Sequence, residues 1–144
     1  TDMTDCFCFT DTLEVSASAG VSIRDITTTL QQIVARSRMH TGTLNATCMG
    51  STGSLTTIEY EPGAVQDLKQ AITELAPPEG EYEHEKAWQD GNGHSHVQAA
   101  LLGPSLALPV RQGRLHLGTW QQVVVINHDI KSRRRRIEVT LVGA

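Results

Sequence analysis

The 144-residue sequence predicts one domain of mixed helix and strand in which strands outnumber helices. Three observations carry this expectation. The length suits a single hydrophobic core, about three segments hold apolar residues at helical spacing, and most of the remainder is strand-forming and punctuated by glycine turns. Composition agrees: 39% apolar and 19% charged residues suit a globular chain, and 4% aromatic content leaves Leu, Ile, Val and Ala to fill the interior. A core of that size needs no disulfide, and Cys6, Cys8 and Cys48 are an odd set without paired zinc spacing. Twelve Lys and Arg against sixteen Asp and Glu give a formal charge of -4, which argues against nucleic acid as the main partner. There is no run of about eighteen apolar residues and no basic N-terminus leading into an apolar segment, so no membrane association and a cytoplasmic location are expected.

The stretch from Cys6 to Val15 alternates enough to be a first strand, ending near Ala19-Gly20. Leu30, Ile33 and Val34 follow Asp25-Ile26-Thr27 at helical spacing, which predicts a helix to about Met39 with Thr27 as its N-cap. Gly42 to Met49 and Ser54 to Tyr60 read as extended segments. The loop Gly50-Ser51-Thr52-Gly53 between them permits close ligand approach and is a candidate site wall. Pro62-Gly63 opens a second helix carried by Val65, Leu68, Ile72 and Leu75, which Pro77-Pro78 stops. Residues 79–94 form a long polar excursion, and loops of that length are often functional. Ser95 and Gln98 match a capping box for a third, short helix ending at Gly103-Pro104, with His96 in its first turn. Strands are then expected over Leu106 to Val110, Arg114 to Leu117, Gln122 to Asn127 and Arg134 to Val142, with Gln112-Gly113 as a turn.

The densest set of potential ligands is His84-Glu85, Asp90, Asn92, His94 and His96, followed by His116, His128 and Asp129. Imidazoles and carboxylates suit zinc or another divalent metal and also acid–base work. The spacing matches neither a zincin nor a zinc finger, so hydrogen-bonded loop histidines stand beside the metal reading. Glu59 and Glu61 flank Tyr60, and strand periodicity puts both carboxylates on one face, as a paired site or as a solvated edge. In the run Arg133 to Arg136, alternation sends Arg133 and Arg135 to one side and Arg134 and Arg136 to the other. Guanidinium groups suit phosphate, with solvated surface and an RNA patch as the alternatives. Trp120 in Gly118-Thr119-Trp120-Gln121 suits core or subunit packing better than base stacking. Walker and glycine-x-serine-x-glycine patterns are absent.

These motifs together resemble the YjbQ-like family, which is associated with secondary thiamine-phosphate synthase activity. The likeness runs through Asp25-Ile26-Thr27, Gly50-Ser51-Thr52-Gly53 and Thr57-Ile58-Glu59-Tyr60-Glu61-Pro62-Gly63. It continues through Asp90-Gly91-Asn92-Gly93-His94-Ser95-His96, Leu102-Gly103-Pro104-Ser105, Gly118-Thr119-Trp120-Gln121 and the arginine-rich strand. The resemblance implies one α+β domain over residues 1–144 with antiparallel β-sheets, assembling as a homotrimer with sites near subunit interfaces. It implies a transferase that joins a hydroxymethylpyrimidine pyrophosphate to a thiazole phosphate and releases pyrophosphate. The rival is a trimeric metal- or anion-binding protein with another physiological role. Carried over residue by residue, His84, His96, Glu59 and Asn92 form the catalytic set, and His84, His96, His94 and Glu59 the ligands of a divalent metal, with zinc and magnesium as candidates. Arg134, Arg135, Gln121, Ser51 and Thr52 bind the small phosphorylated substrate. Gly50 stands where many members carry a histidine, which removes one ligand, and His94 stands where many have none.

Overall fold

In the computed structural model, which describes residues 5–144, every paired strand is antiparallel to its neighbour. The larger sheet has the order β1 (Phe7–Ala17), β8 (Arg133–Gly143), β3 (Gly42–Cys48), β5 (Ser105–Arg111) and β6 (Arg114–Leu115). The smaller has β2 (Ser22–Asp25), β7 (Gln122–Asn127) and β4 (Gly53–Ile58). Among the described residues there are four helices, α1 (Thr27–Ser37), α2 (Pro62–Leu75), α3 (Glu83–Trp88) and α4 (Gly93–Leu102). The fold is α+β, and no helix is long and apolar enough to cross a membrane. Cys6, Cys8 and Cys48 are all free thiols.

Strand periodicity layers the core around β7. Val123 and Val125 pack with Leu30, Ile33 and Val34 of α1 and with Leu44, Ile137, Val139 and Leu141 of the larger sheet. Val124 and Ile126 point the other way, toward Ile23 and Ile72, with Val65 and Leu68 of α2 covering them. A strand buried on both faces has no polar face to show, hence the uninterrupted Val-Val-Val-Ile run. Helix α2 starts as its sequence demands: Pro62 occupies the first turn, and the Glu61 carboxylate accepts the Gly63 and Ala64 N–H groups at 2.7 and 2.6 Å.

Several local expectations are corrected. Thr27 does not cap α1; Ile26 holds the cap position. The Thr27 hydroxyl instead donates to Asp25 Oδ1 (2.6 Å) and accepts from the Val123 N–H (2.8 Å), tying the β2–α1 corner to β7. The capping box at Ser95 and Gln98 does not form, because α4 begins two residues earlier, at Gly93. Ser95 donates to Asn92 Oδ1, and the Gln98 amide reaches inward to the Ala76 carbonyl and the His128 ring. The excursion over 79–94 contains α3, whose six residues are all at least partly exposed and so carry no apolar stripe to betray a helix. Strand β2 is only four residues long, too short for periodicity to register. Strand β6 is also shorter than expected and stops at Leu115.

Candidate metal centre

Helices α3 and α4 and the loop between them bring three ligand-type side chains together. His84 lies in the first turn of α3, His96 in the first turn of α4, and Asp90 in the connecting loop. One donor atom from each lies within 4.8 Å of the other two. His84 Nε2 contacts both Asp90 oxygens, at 3.0 and 3.2 Å, and the two imidazoles meet edge to face with centroids 4.5 Å apart. His96 Nδ1 lies 3.2 Å from the Ser51 carbonyl, which only accepts; the proton is therefore on Nδ1 and the Nε2 lone pair is free. Two imidazoles and one carboxylate fit zinc or another transition ion better than magnesium, which prefers oxygen donors. Asp90 is acidic beyond the usual carboxylate range because the Asn92 N–H and then His84 hydrogen-bond its charged form.

The loop is held from behind. Both Glu85 oxygens accept backbone N–H groups, from Gly91 at 2.8 Å and Gly93 at 2.9 Å, clamping the turn that carries Asp90. Below it lies buried Asp129, which accepts from Thr52 Oγ1 (3.0 Å), Asn92 Nδ2 (3.3 Å), Lys131 N (2.9 Å) and Arg133 Nε (3.0 Å). Burial alone would raise the Asp129 pKa, but those four donors overcome it and hold the group at about 2. Arg135 is 5% exposed and donates to Asn127 Oδ1 and to both the carbonyl and hydroxyl of Thr52. The loop wraps this guanidinium closely. A Cβ on Gly53 would sit 2.7 Å from Cys48 Sγ and 3.1 Å from Arg135 Cζ, and Gly50 has φ +104°, so both positions require glycine.

A third buried group, His128, is 1% exposed. Its Nδ1 lies 2.9 Å from Gln98 Oε1 and its Nε2 2.8 Å from Ser54 Oγ. Gln98 Nε2 is committed to the Ala76 carbonyl, so the imidazole donates from Nδ1 and accepts the Ser54 proton at Nε2. Burial first, then the charges of Arg135 and His94, push its pKa down to about 4. Ser54 has no solvent exposure, which makes this chain of bonds an internal brace rather than a nucleophile with its base.

The family described as UPF0047 protein YjbQ-like matches residues 11–144, a span that contains every residue of this site. The chain belongs to the YjbQ-like family. A UPF0047 protein of Methanothermobacter thermautotrophicus is 32% identical over 135 residues, covering 94% of this chain and 92% of its own. A UPF0047 protein YjbQ of Escherichia coli O157:H7 is 35% identical over 115 residues, 79% of this chain and 83% of its own. Among solved structures, a YbjQ-like protein of unknown function from Sulfolobus solfataricus superposes with a TM-score of 0.92 at 30% identity, covering 97% of this chain and all of that one. A hypothetical protein of Aeropyrum pernix superposes with a TM-score of 0.88 at 27% identity, covering 94% of this chain and 99% of its own.

Within one chain, the residues expected from the YjbQ-like resemblance divide into separate groups. His84 and His96 converge as expected, joined by Asp90 instead of His94 or Glu59. His94 is buried toward Tyr82 and the Ser95 hydroxyl, and burial lowers its pKa against the pull of Glu85, Glu79 and Asp129. Glu59 follows the end of β4 at which Ile58 pairs with Gln122, whereas Gly53 pairs with Asn127 at the other end. Six residues of strand put Glu59 roughly 20 Å from Gly53. Glu61 is spent on capping α2, which removes the paired-carboxylate reading. Gln121 is at the Glu59 end, bonded to Gly118 N and Thr57 Oγ1, and Trp120 is 73% exposed, so it does not pack in the core of its own chain. Asn92 is buried, with its amide taken up by Ser95, Ile130 and Asp129, and acts here as a positioning residue.

The expected Arg134–Arg135 pair is not a clamp. Successive strand residues face opposite ways: Arg135 turns inward to Thr52 and Asn127, and Arg134 turns outward to pair with Glu14. Arg133 shares the Arg135 side, is ion-paired with Asp129 and is half-exposed. Thr52 is buried in the same network, while Ser51 is exposed and lines a depression of about 200 Å³ with Gly50, His96 and Ala100. Glu85, Asp90 and Asp129 stood among the potential ligands read from the sequence and Arg133 in its basic run, but the expected site included none of them. The Arg133/Arg134 alternation and the Asp90-Gly91-Asn92-Gly93 turn were the signals that pointed to two of them.

Proposed function

We propose that this chain is a metal-assisted transferase of the secondary thiamine-phosphate synthase kind, working on small phosphorylated molecules. The reaction comes from the family resemblance. In this chain the reading is supported by one observation, the convergence of His84, Asp90 and His96, with Asn92 bonding both Asp90 and the Asp129 of the Asp129–Arg133 pair. The step forms a C–N bond between the methylene carbon of the pyrimidine and the thiazole nitrogen. It breaks the C–O bond to pyrophosphate, which departs with the bonding electrons. A divalent ion held by the two histidines and Asp90 would neutralise charge on that leaving group. Arg133 takes the role expected of Arg134 and Arg135: its Nε is anchored on Asp129, which fixes the guanidinium and leaves its outer edge toward solvent for phosphoryl oxygens. Ser51 holds His96 in one tautomer, and Asn92 holds the loop that carries Asp90.

The depression beside His96, about 200 Å³, is smaller than an ordinary small-molecule pocket and does not hold two substrates. A homotrimer is part of the same proposal, since a neighbouring subunit would enlarge the site and could bring an exposed Glu59, Trp120 and Gln121 to it. The small size of the depression also favours the rival reading, a metal- or anion-binding protein with a different physiological substrate.

The deciding experiment measures pyrophosphate release from the two thiamine precursors, using chelated protein with and without added zinc or magnesium. Metal-restored product that H84A and H96A abolish, with the assembly unchanged by sedimentation, supports the transferase. No product under any metal condition from folded protein overturns it, and zinc binding retained by that protein favours the rival.

A further inference from the structure

The β5–β6 hairpin at the edge of the larger sheet carries an unbalanced concentration of positive charge. Its loop is two residues, Gln112 and Gly113, with φ +52° and +74°, a turn that holds the flanking residues in tight register. Those flanking residues are Arg111 and Arg114, directly opposite one another. Cross-strand partners project to one side of a hairpin about 5 Å apart, and like charges placed so are destabilising. His116 follows the end of β6, its N–H bonded to the Pro109 carbonyl at 2.9 Å. Arg111, Arg114, His116 and Thr41 line one cavity of about 590 Å³, whose wall is completed by Leu115 and Leu117.

Among the described residues, no carboxylate forms an ion pair with Arg111 or Arg114, and none lines the cavity. The chain is not short of acids, having sixteen against twelve Lys and Arg, and it pairs Arg36, Arg133, Arg134 and Arg136 with them. Among the described residues, Arg111 finds only carbonyl oxygens, that of Val110 at 2.9 Å and of Gly42 at 3.5 Å.

We propose that this cavity is an anion site for a small phosphate monoester, with the phosphate between Arg111 and Arg114 and the body of the molecule against Leu115 and Leu117. Two guanidinium groups on one face match the oxygens of a terminal phosphate, which removes the repulsion between them. The concavity and apolar wall suit a small molecule, while the net charge of -4 disfavours an extended polyanion. This site is separate from the histidine cluster and does not rest on the transferase reading.

The test titrates phenyl phosphate and inorganic phosphate calorimetrically into the full chain carrying H84A and H96A, in EDTA and at low salt, so that no metal-held phosphate contributes. Phenyl phosphate is expected to bind more tightly than phosphate, and R111Q and R114Q are each expected to weaken it at least tenfold, while R24Q on β2 leaves it unchanged. Thermal melts add a readout that loss of folding would not mimic. In phosphate-free buffer R114Q melts no lower than its parent because a repulsion has gone, and phosphate raises the parent's melting temperature but not that of the double arginine variant. Binding unaltered by R111Q and R114Q, or no binding by the folded parent at millimolar ligand, overturns the proposal. So does a single-stranded oligoribonucleotide that occupies the site more tightly than phenyl phosphate.

Discussion

Lowering the pH from 7 to 5 should weaken this fold through His128, and the size of the loss follows from its surroundings. The imidazole is 1% exposed, with its donor on Gln98 and its acceptor on Ser54, and its pKa is about 4 against 6.5 for the free side chain. The unfolded chain takes up a proton as pH falls through 6.5, whereas the folded chain resists until about 4. Stability is therefore fully present above 6.5, declines as pH falls between those values, and levels off below. The full shift corresponds to about 3 kcal/mol, of which about 2 kcal/mol is lost by pH 5. His94, also pushed down by burial, adds a loss of the same sign in the same range. Asp129, held near 2, loses its contribution only below the ordinary carboxylate value and so leaves this range untouched. Urea midpoints at pH 7 and pH 5, at fixed protein concentration, measure the difference for wild type, H94Q and H128Q. H128Q is expected to be weaker at pH 7, because the bonds to Ser54 and Gln98 are disturbed, yet to lose about 2 kcal/mol less than wild type between the two pH values. A wild-type midpoint that does not move, or an H128Q variant that falls as steeply as wild type, would refute the reasoning.

The remaining predictions concern the loop and its supports. Arg135→Met should cost about 3 kcal/mol or more in urea unfolding, since Thr52 and Asn127 are left buried without their donor; a cost below about 1 kcal/mol would count against a structural role. Gly53→Ala should cost about 1–3 kcal/mol because the new methyl meets Cys48 Sγ at 2.7 Å, and adding Cys48→Ala should recover part of it, which a double-mutant cycle would reveal. Glu85→Gln should lower zinc affinity about tenfold without removing a ligand, because one of the two backbone N–H groups on its carboxylate loses its acceptor; competition against a chelating dye measures this.

Helices α1 and α2 and the strands β7 and β8 were legible in the sequence because each carries a long apolar period or run, and burial of one or two faces enforces it. Helix α3 and strand β2 were not. The six residues of α3 and the four of β2 exist because their neighbours hold them, and local pattern does not encode that. Thr27 and Ser95 had the chemistry of caps, yet each found a stronger partner elsewhere, Val123 and Asp25 for one and Asn92 for the other.

The candidate site divides along the same line. His84, Asp90 and His96 lie within thirteen residues, so a short helical turn and loop suffice to bring them together; their type and proximity marked all three as potential ligands, although the expected metal set took His94 and Glu59 in place of Asp90. Alternation in β8 separated Arg133 and Arg135 from Arg134 and Arg136, although the choice of Arg134 and Arg135 as one clamp overlooked that separation. What only the tertiary structure decided is which of these groups keep a free face. Glu61, Asn92, Thr52 and Arg135 have the residue types of a functional site, but caps and buried networks consume their hydrogen bonds. The length of β4 carries Glu59 away from the histidines with which its chemistry would group it. Residue type sets what a side chain can do, whereas burial and partners decide what remains for it to do, and both depend on segments far apart in the chain.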